Sequence, residues 1–181
     1  IHSLNLLAGF SAQKTMTESS SAEASQVPND ALGVSGLDEG TPYNIGSRSS
    51  NNFLNSIFGR VNYNYRSKYF LTGVLRADGS SKFAPENRWS YFPSGAVAWN
   101  IAKEDFMKPA ARFLSELKLR ASYGISGNNR IGDFAYLPAI SLNDITTHYP
   151  FENVYEKGAV QSSLANKDVR WETTATTNIG V

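Results

Sequence analysis

The stretch Ile57–Asp78, IFGRVNYNYRSKYFLTGVLRAD, constrains the fold more than any other part of the chain. Gly59, Val61, Tyr63 and Tyr65 share one parity, and Arg60, Asn62, Asn64 and Arg66 share the other. Successive side chains of a strand point to opposite faces, so this run has one apolar, aromatic face and one cationic, amide-bearing face. After Arg66-Ser67-Lys68 the pattern restarts, with Tyr69, Leu71, Gly73, Leu75 and Ala77 opposite Thr72, Val74, Arg76 and Asp78. Two alternating runs joined by so short a polar break form a β-hairpin, with its turn expected at 67–68. Each run is about ten residues. Tilted by roughly 45°, a strand of that length covers roughly 25 Å of the membrane normal, the height of an outer-membrane apolar band.

The same period recurs along the chain. His2–Gln13 alternates with Leu4, Leu6, Ala8, Phe10 and Ala12 on one side; Trp89–Ile101, Leu117–Ile125 and Trp171–Val181 follow the same rule. Six strands result. Between them, 14–55 and 126–170 read as long loops, the first with one helical turn near 19–25, the second with short strands at Phe134–Leu142 and Tyr149–Tyr155. The remaining connections are 79–88 and 102–115, the latter with one helical turn. In an antiparallel succession 14–55, 79–88 and 126–170 share one end, while 67–68 and 102–115 share the other. Long loops on one rim and short turns on the other is the asymmetry of an outer-membrane barrel. Tyr63, Tyr65, Tyr69 and Trp99 fall near the short-turn rim; Trp89, Tyr91 and Trp171 fall near the long-loop rim. On the apolar parity these make two interfacial girdles.

Charge and composition narrow the function. Seventeen basic and sixteen acidic residues are nearly balanced and scattered singly, which argues against a nucleic-acid surface. With no cysteine, a thiolate metal site and a cysteine nucleophile are excluded. No apolar run reaches the 18 residues that would suggest a membrane-crossing helix, which leaves a barrel open. The chain begins without Met and without a signal-peptide pattern, so targeting information is expected elsewhere. His2 and His148 lack neighbouring carboxylates at ligand spacing. Asp78-Gly79-Ser80 has no acidic residue at the twelfth position of a calcium loop, and Glu104-Asp105 reads as a solvated turn or a helix start. Nothing points to catalysis, a metal or a cofactor.

Several words in the sequence resemble one family. They are Arg76-Ala77-Asp78-Gly79-Ser80-Ser81-Lys82-Phe83, Arg88-Trp89 and Phe92-Pro93-Ser94; then Trp99-Asn100-Ile101 with Glu104 and Phe106; then Leu117-Lys118-Leu119-Arg120-Ala121-Ser122-Tyr123-Gly124 with Gly127-Asn128; and finally Leu164-Ala165-Asn166 and Trp171-Glu172-Thr173-Thr174. In order and spacing the set is similar to the middle of the barrel of TonB-dependent outer-membrane transporters of the SusC/RagA type. The likeness is dense over 55–128, good again over 164–181 and weak in the two long loops. It implies an all-β fold: an antiparallel transmembrane β-barrel segment of six to eight strands from a barrel of about 22, whose lumen a plug domain fills. It also implies import of oligosaccharides or peptides, with the TonB complex and a SusD-like surface lipoprotein as partners. Plug, TonB-contacting segment and barrel closure are missing from these residues, so the whole 1–181 is expected to be a partial barrel domain.

On that expectation Arg60, Asn62, Asn64, Arg66, Arg76, Lys118, Arg120 and Glu172 face the lumen, because Arg or Lys at the lipid midplane costs about 2–4 kcal/mol. Tyr43, Tyr136, Tyr149, Phe151 and Tyr155 are candidates to stack on solute from the loops. Alternation by itself also fits a soluble β-sandwich, such as a carbohydrate-binding module, whose apolar faces pair into a core. A small complete barrel using both doubtful strands is a third reading.

Overall fold

A computed structural model describes residues 1–29, 31–142 and 147–181; the side chains of Tyr43 and of 110–112 are outside the description. Among the described residues ten strands follow one another: β1 His2–Ser25, β2 Thr41–Tyr65, β3 Tyr69–Ser80, β4 Trp89–Asn100, β5 Lys118–Asn128, β6 Ala139–Ser141, β7 His148–Phe151, β8 Val154–Lys157, β9 Val160–Ser163 and β10 Glu172–Gly180. Six of them make one sheet in the order β1-β2-β3-β4-β5-β10. This is a meander in which β2–β3, β3–β4, β4–β5 and β5–β10 all pair antiparallel.

The chain divides into two units: residues 1–13 with 53–181, and residues 14–52. The second was expected to be loop and is instead mostly strand, 14–25 of β1 and 41–52 of β2. β1 and β2 run for 24 and 25 residues, far beyond the 9–11 that a membrane crossing requires. Within this unit the Ser25 hydroxyl donates to the Thr41 carbonyl (3.5 Å) and the Asn44 amide donates to Glu23 Oε1 (3.3 Å). A 3₁₀ stretch, Gly33–Glu39, lies at its tip. The helical turn expected near 19–25 is strand.

In the first unit the pairing register carries both faces across the sheet without a slip. One face holds Tyr65, Tyr69, Trp99 and Leu119, then Tyr63, Leu71, Val97, Ala121 and Ile179, then Val61, Gly73, Gly95, Tyr123 and Thr177. The other holds Asn62, Thr72, Ala96, Ser122 and Asn178, then Arg60, Val74, Ser94, Gly124 and Thr176. The apolar face is open: Leu71, Leu75, Val97 and Tyr91 are all exposed. No second sheet covers it among the described residues, so neither the β-sandwich nor the small complete barrel describes this molecule. A water-soluble domain with so much contiguous apolar surface would aggregate.

The two ends of the wall are built differently. At one end β2 and β3 join through Arg66 and Ser67, both left-handed (φ 51° and 54°), with the Lys68 N–H donating to the Tyr65 carbonyl at 2.9 Å. This is a type I′ turn, whose twist matches that of the strands it joins. It sits one residue earlier than expected. At the same end Ile101–Leu117 links β4 to β5 through 3₁₀ turns. At the opposite end 81–88 and 129–171 are tied together, because Lys82 Nζ donates to the Ile131 carbonyl (3.0 Å) and the Asn87 amide donates to the Lys167 carbonyl (2.9 Å).

Between β5 and β10 the chain folds into two small ribbons outside the wall, β6 with β9 and β7 with β8. The expected short strands therefore exist with other bounds. Phe134 is no strand start: its φ is 58°, and its carbonyl accepts the Leu137 N–H. Tyr149–Tyr155 is a hairpin rather than a strand, turning at Glu152 and Asn153 (φ 47° and 66°).

Candidate functional site

Register brings most of the predicted polar residues onto one face. Arg60, Asn62, Asn64, Arg76, Lys118, Arg120 and Glu172 all belong to the polar parity. Arg66 does not: it occupies the first corner of the β2–β3 turn, and its guanidinium lies 5.2 Å from the ring centre of Tyr65, a residue of the apolar face. The alternation continues on paper through Arg66, but a residue at φ 51° has left the strand.

Several of these groups are engaged with the wall itself. The Arg76 guanidinium donates through Nε to both oxygens of Asp78 (2.7 and 2.8 Å) and through Nη2 to the buried Ser56 hydroxyl (2.9 Å). Thr72 donates to Asn62 Oδ1 (3.0 Å), and Asn64 Oδ1 caps the turn by accepting the Ser67 N–H (2.9 Å). The Lys118 ammonium lies 4.4 Å from the ring centre of Phe70, and Glu172 accepts from the Asn128 amide (2.8 Å). Between Arg76 and Arg120 the face is small and uncharged. A depression of about 400 Å³ there is lined by Thr72, Ser94, Ser122, Ser126, Thr176 and Asn178, among others.

The loop aromatics do not converge. Tyr43 lies in β2 with its side chain outside the described residues. Tyr136 packs beside Phe134, with ring centres 6.5 Å apart. Tyr149 and Phe151 share one face of the β7–β8 ribbon, whereas Tyr155 pairs with Pro150 on the other. All three are exposed.

Two clusters hold the ends of the wall, and the one at the loop end was missed by single-residue reasoning. At the loop end Phe83 is fully buried and stacks on Trp171 (5.2 Å), which meets Phe92 edge-on (5.4 Å) and donates its indole N–H to the Arg88 carbonyl (3.0 Å). Trp171 is therefore part of this knot and not of a girdle with Trp89 and Tyr91. Its signal lay in the recurring words themselves, since SSKF, RW, FP and WETT all meet here. At the turn end the expected girdle is present as a ladder of rings. His2 lies 4.7 Å from Tyr65, Tyr65 lies 6.3 Å from Tyr69, and Tyr69 lies 6.4 Å from Trp99. Glu104 closes that end. Its Oε2 accepts from Lys68 Nζ (2.8 Å), and its Oε1 accepts from the Tyr69 hydroxyl (2.7 Å) and the Trp99 indole (3.1 Å). These bonds, the Lys68 one foremost, hold the Glu104 carboxyl down at about 2. Glu104 is thus more than the solvated turn residue its neighbourhood in sequence suggested.

Comparison with known proteins agrees with this geometry. The chain is 36% identical over 185 residues to a TonB-dependent receptor of Formosa agariphila, an alignment taking in 99% of this chain and 18% of that protein. It is 41% identical over 157 residues to TonB-dependent receptor SusC of Bacteroides thetaiotaomicron, covering 86% of this chain and 15% of that protein. Its fold superposes on the RagAB peptide transporter with a TM-score of 0.79 and 25% identity, over 98% of this chain and 19% of that one. The RagAB peptide importer in its open-open state gives 0.78. No family model matches. The chain spans less than a fifth of the length of each of these proteins.

Proposed function

This chain belongs to the SusC-type TonB-dependent receptors of the outer membrane, and on that premise we propose that residues 1–181 form a stretch of barrel wall in a TonB-driven importer of oligosaccharides or peptides. The observation that carries this is the unbroken division of the sheet into an exposed apolar face and a polar face, bordered at the turn end by the aromatic ladder. In the bilayer the apolar face meets lipid. Arg60, Asn62, Asn64, Arg76, Lys118, Arg120 and Glu172 then line the interior, and Arg66 stands at the rim. The loop end, where the two small ribbons project, is the extracellular end, where a SusD-like lipoprotein would cap the pore. Tyr149 with Phe151, and Tyr155 separately, offer two surfaces to solute there. On this reading the segment supplies wall and loops, solute movement belongs to the whole protein, and no catalytic role is assigned to these residues.

Uptake tests this reading. Cells with and without the gene for the whole protein would be given labelled oligopeptides and labelled oligosaccharides, with the TonB complex intact or disabled. Loss of uptake of one solute class in both deletions is expected. Uptake of both classes unchanged by deleting the gene would overturn it.

A further inference from the structure

The Ile101–Leu117 connection leaves the end of β4, yet it does not hang below the wall. The Glu104 carboxylate is bonded to the Tyr69 hydroxyl and the Trp99 indole, at 2.7 and 3.1 Å. Tyr69 and Trp99 are cross-strand partners with stacked rings, and both stand on the apolar face. Three bonds to one carboxylate therefore fold the start of the connection outward over the edge of the sheet, onto the side that meets lipid. From there the Met107 N–H donates to the Glu104 carbonyl (3.0 Å), and the 3₁₀ stretch Asp105–Arg112 begins. It presents Phe106, 64% exposed, and is followed by Phe113, 94% exposed. Beside them the Lys103 and Lys108 side chains are exposed, the latter bridged to Asp105 at 2.8 Å.

A short segment with large apolar side chains next to ammonium groups, anchored beside a ladder of tyrosine and tryptophan, has the composition of an interfacial element. We propose that 104–113 lies in the headgroup region of the phospholipid leaflet on the short-turn side of the membrane. Phe106 and Phe113 seat among the upper acyl chains, and Lys103 and Lys108 stand at the phosphates. The inference rests on the barrel reading above and adds a lipid contact that strand alternation does not contain. The aromatic ladder would end the apolar band; this segment would extend the contact sideways, past the wall.

Because these residues contain no cysteine, single labels can be placed cleanly. The whole outer-membrane protein, freed of any cysteine elsewhere, would be inserted into vesicles of phosphatidylethanolamine and phosphatidylglycerol. A fluorophore would be carried by Phe106→Cys or by Phe113→Cys, with Val97→Cys as the mid-wall reference and Asn153→Cys as the aqueous one. Phospholipids brominated at known depths serve as quenchers. The expected result is quenching of both test labels by bromines about 5–10 Å below the headgroups, the depth at which interfacial segments sit. Quenching no stronger than at position 153, with position 97 fully quenched, overturns the inference and leaves the barrel standing. Shielding of the test labels from both lipid bromines and aqueous iodide also overturns it, since another protein segment would then cover them. If position 97 is itself unquenched, it is the barrel reading that falls.

Discussion

Glu104 ties a lysine, a tyrosine and a tryptophan from three positions of the wall to one carboxylate. Its carboxyl ordinarily titrates at 4.5 and is held at about 2 in the fold. A group depressed in the folded state contributes stability that is complete above its unfolded value and is lost as pH falls through the folded one. Unfolding midpoints of the protein in detergent should therefore drop between about pH 4.5 and pH 2 more steeply than those of Glu104→Gln. Equal pH profiles for the two would sink the assignment.

Arg76 and Asp78 make a second test. Asp78→Ala takes the carboxylate from the Arg76 guanidinium and leaves it Ser56 and the Phe58 ring, and the loss should be about 1–3 kcal/mol by denaturant titration, the usual cost of unpairing a partly buried charged group. Gly127 lies against Phe92, where an added Cβ would fall 2.1 Å from the ring. Gly127→Ala should destabilise the loop end by about 1–3 kcal/mol through forced repacking, and truncating Phe92 in the same chain should relieve most of that.

Among the elements, the β2–β3 turn has the backbone of a type I′ turn but not its favoured residues. Arg66 and Ser67 both carry side chains at positive φ. Replacing them by Asn-Gly should raise the unfolding midpoint, by about 1 kcal/mol or more in stability, since glycine adopts this region without a steric penalty. An unchanged or lower midpoint would mean that the Arg66–Tyr65 contact outweighs the strain.

The elements also show what the sequence could and could not say. The wall strands were legible because one side meets an apolar medium and the other does not, and period-2 contrast is the trace of that difference. Residues 14–25 of β1 and 41–52 of β2 are equally strand but read as loop. Serine, threonine, glutamate and asparagine occupy both parities there, so an extended ribbon with no apolar side to hide has no contrast to detect. Trp171 lies just before β10 and packs on Phe83 and on Phe92, the latter paired with Arg76 on the polar parity, so the expected girdle position was lost; alternation says nothing about a long-range partner such as Phe83.

For the molecule as a whole, the two faces predict opposite tolerances. Leu71→Arg places a cation on the lipid side and should cost about 2–4 kcal/mol, blocking recovery of folded protein from outer membranes. Thr72→Arg, its immediate neighbour on the polar face, should assemble normally. Heat-modifiable mobility on gels separates the outcomes; equal assembly of both would contradict the orientation of the wall. The 181-residue chain made alone should aggregate without detergent, for its apolar face has no cover. A monodisperse monomer in light scattering would contradict that.

The order of the sheet has a further consequence. Every wall strand pairs with the next wall strand in sequence, and the longest step between them is the one from β5 to β10. The entropic cost of closing a flexible loop grows with the logarithm of its length, by about 0.6 kcal/mol for each doubling. The part of the 129–171 excursion between its anchors at Ile131 and Lys167 can therefore lengthen, shorten or be exchanged while the β5–β10 register stays as it is. The wall then acts as a fixed frame, and the loop end can differ from one protein to another without the wall being rebuilt.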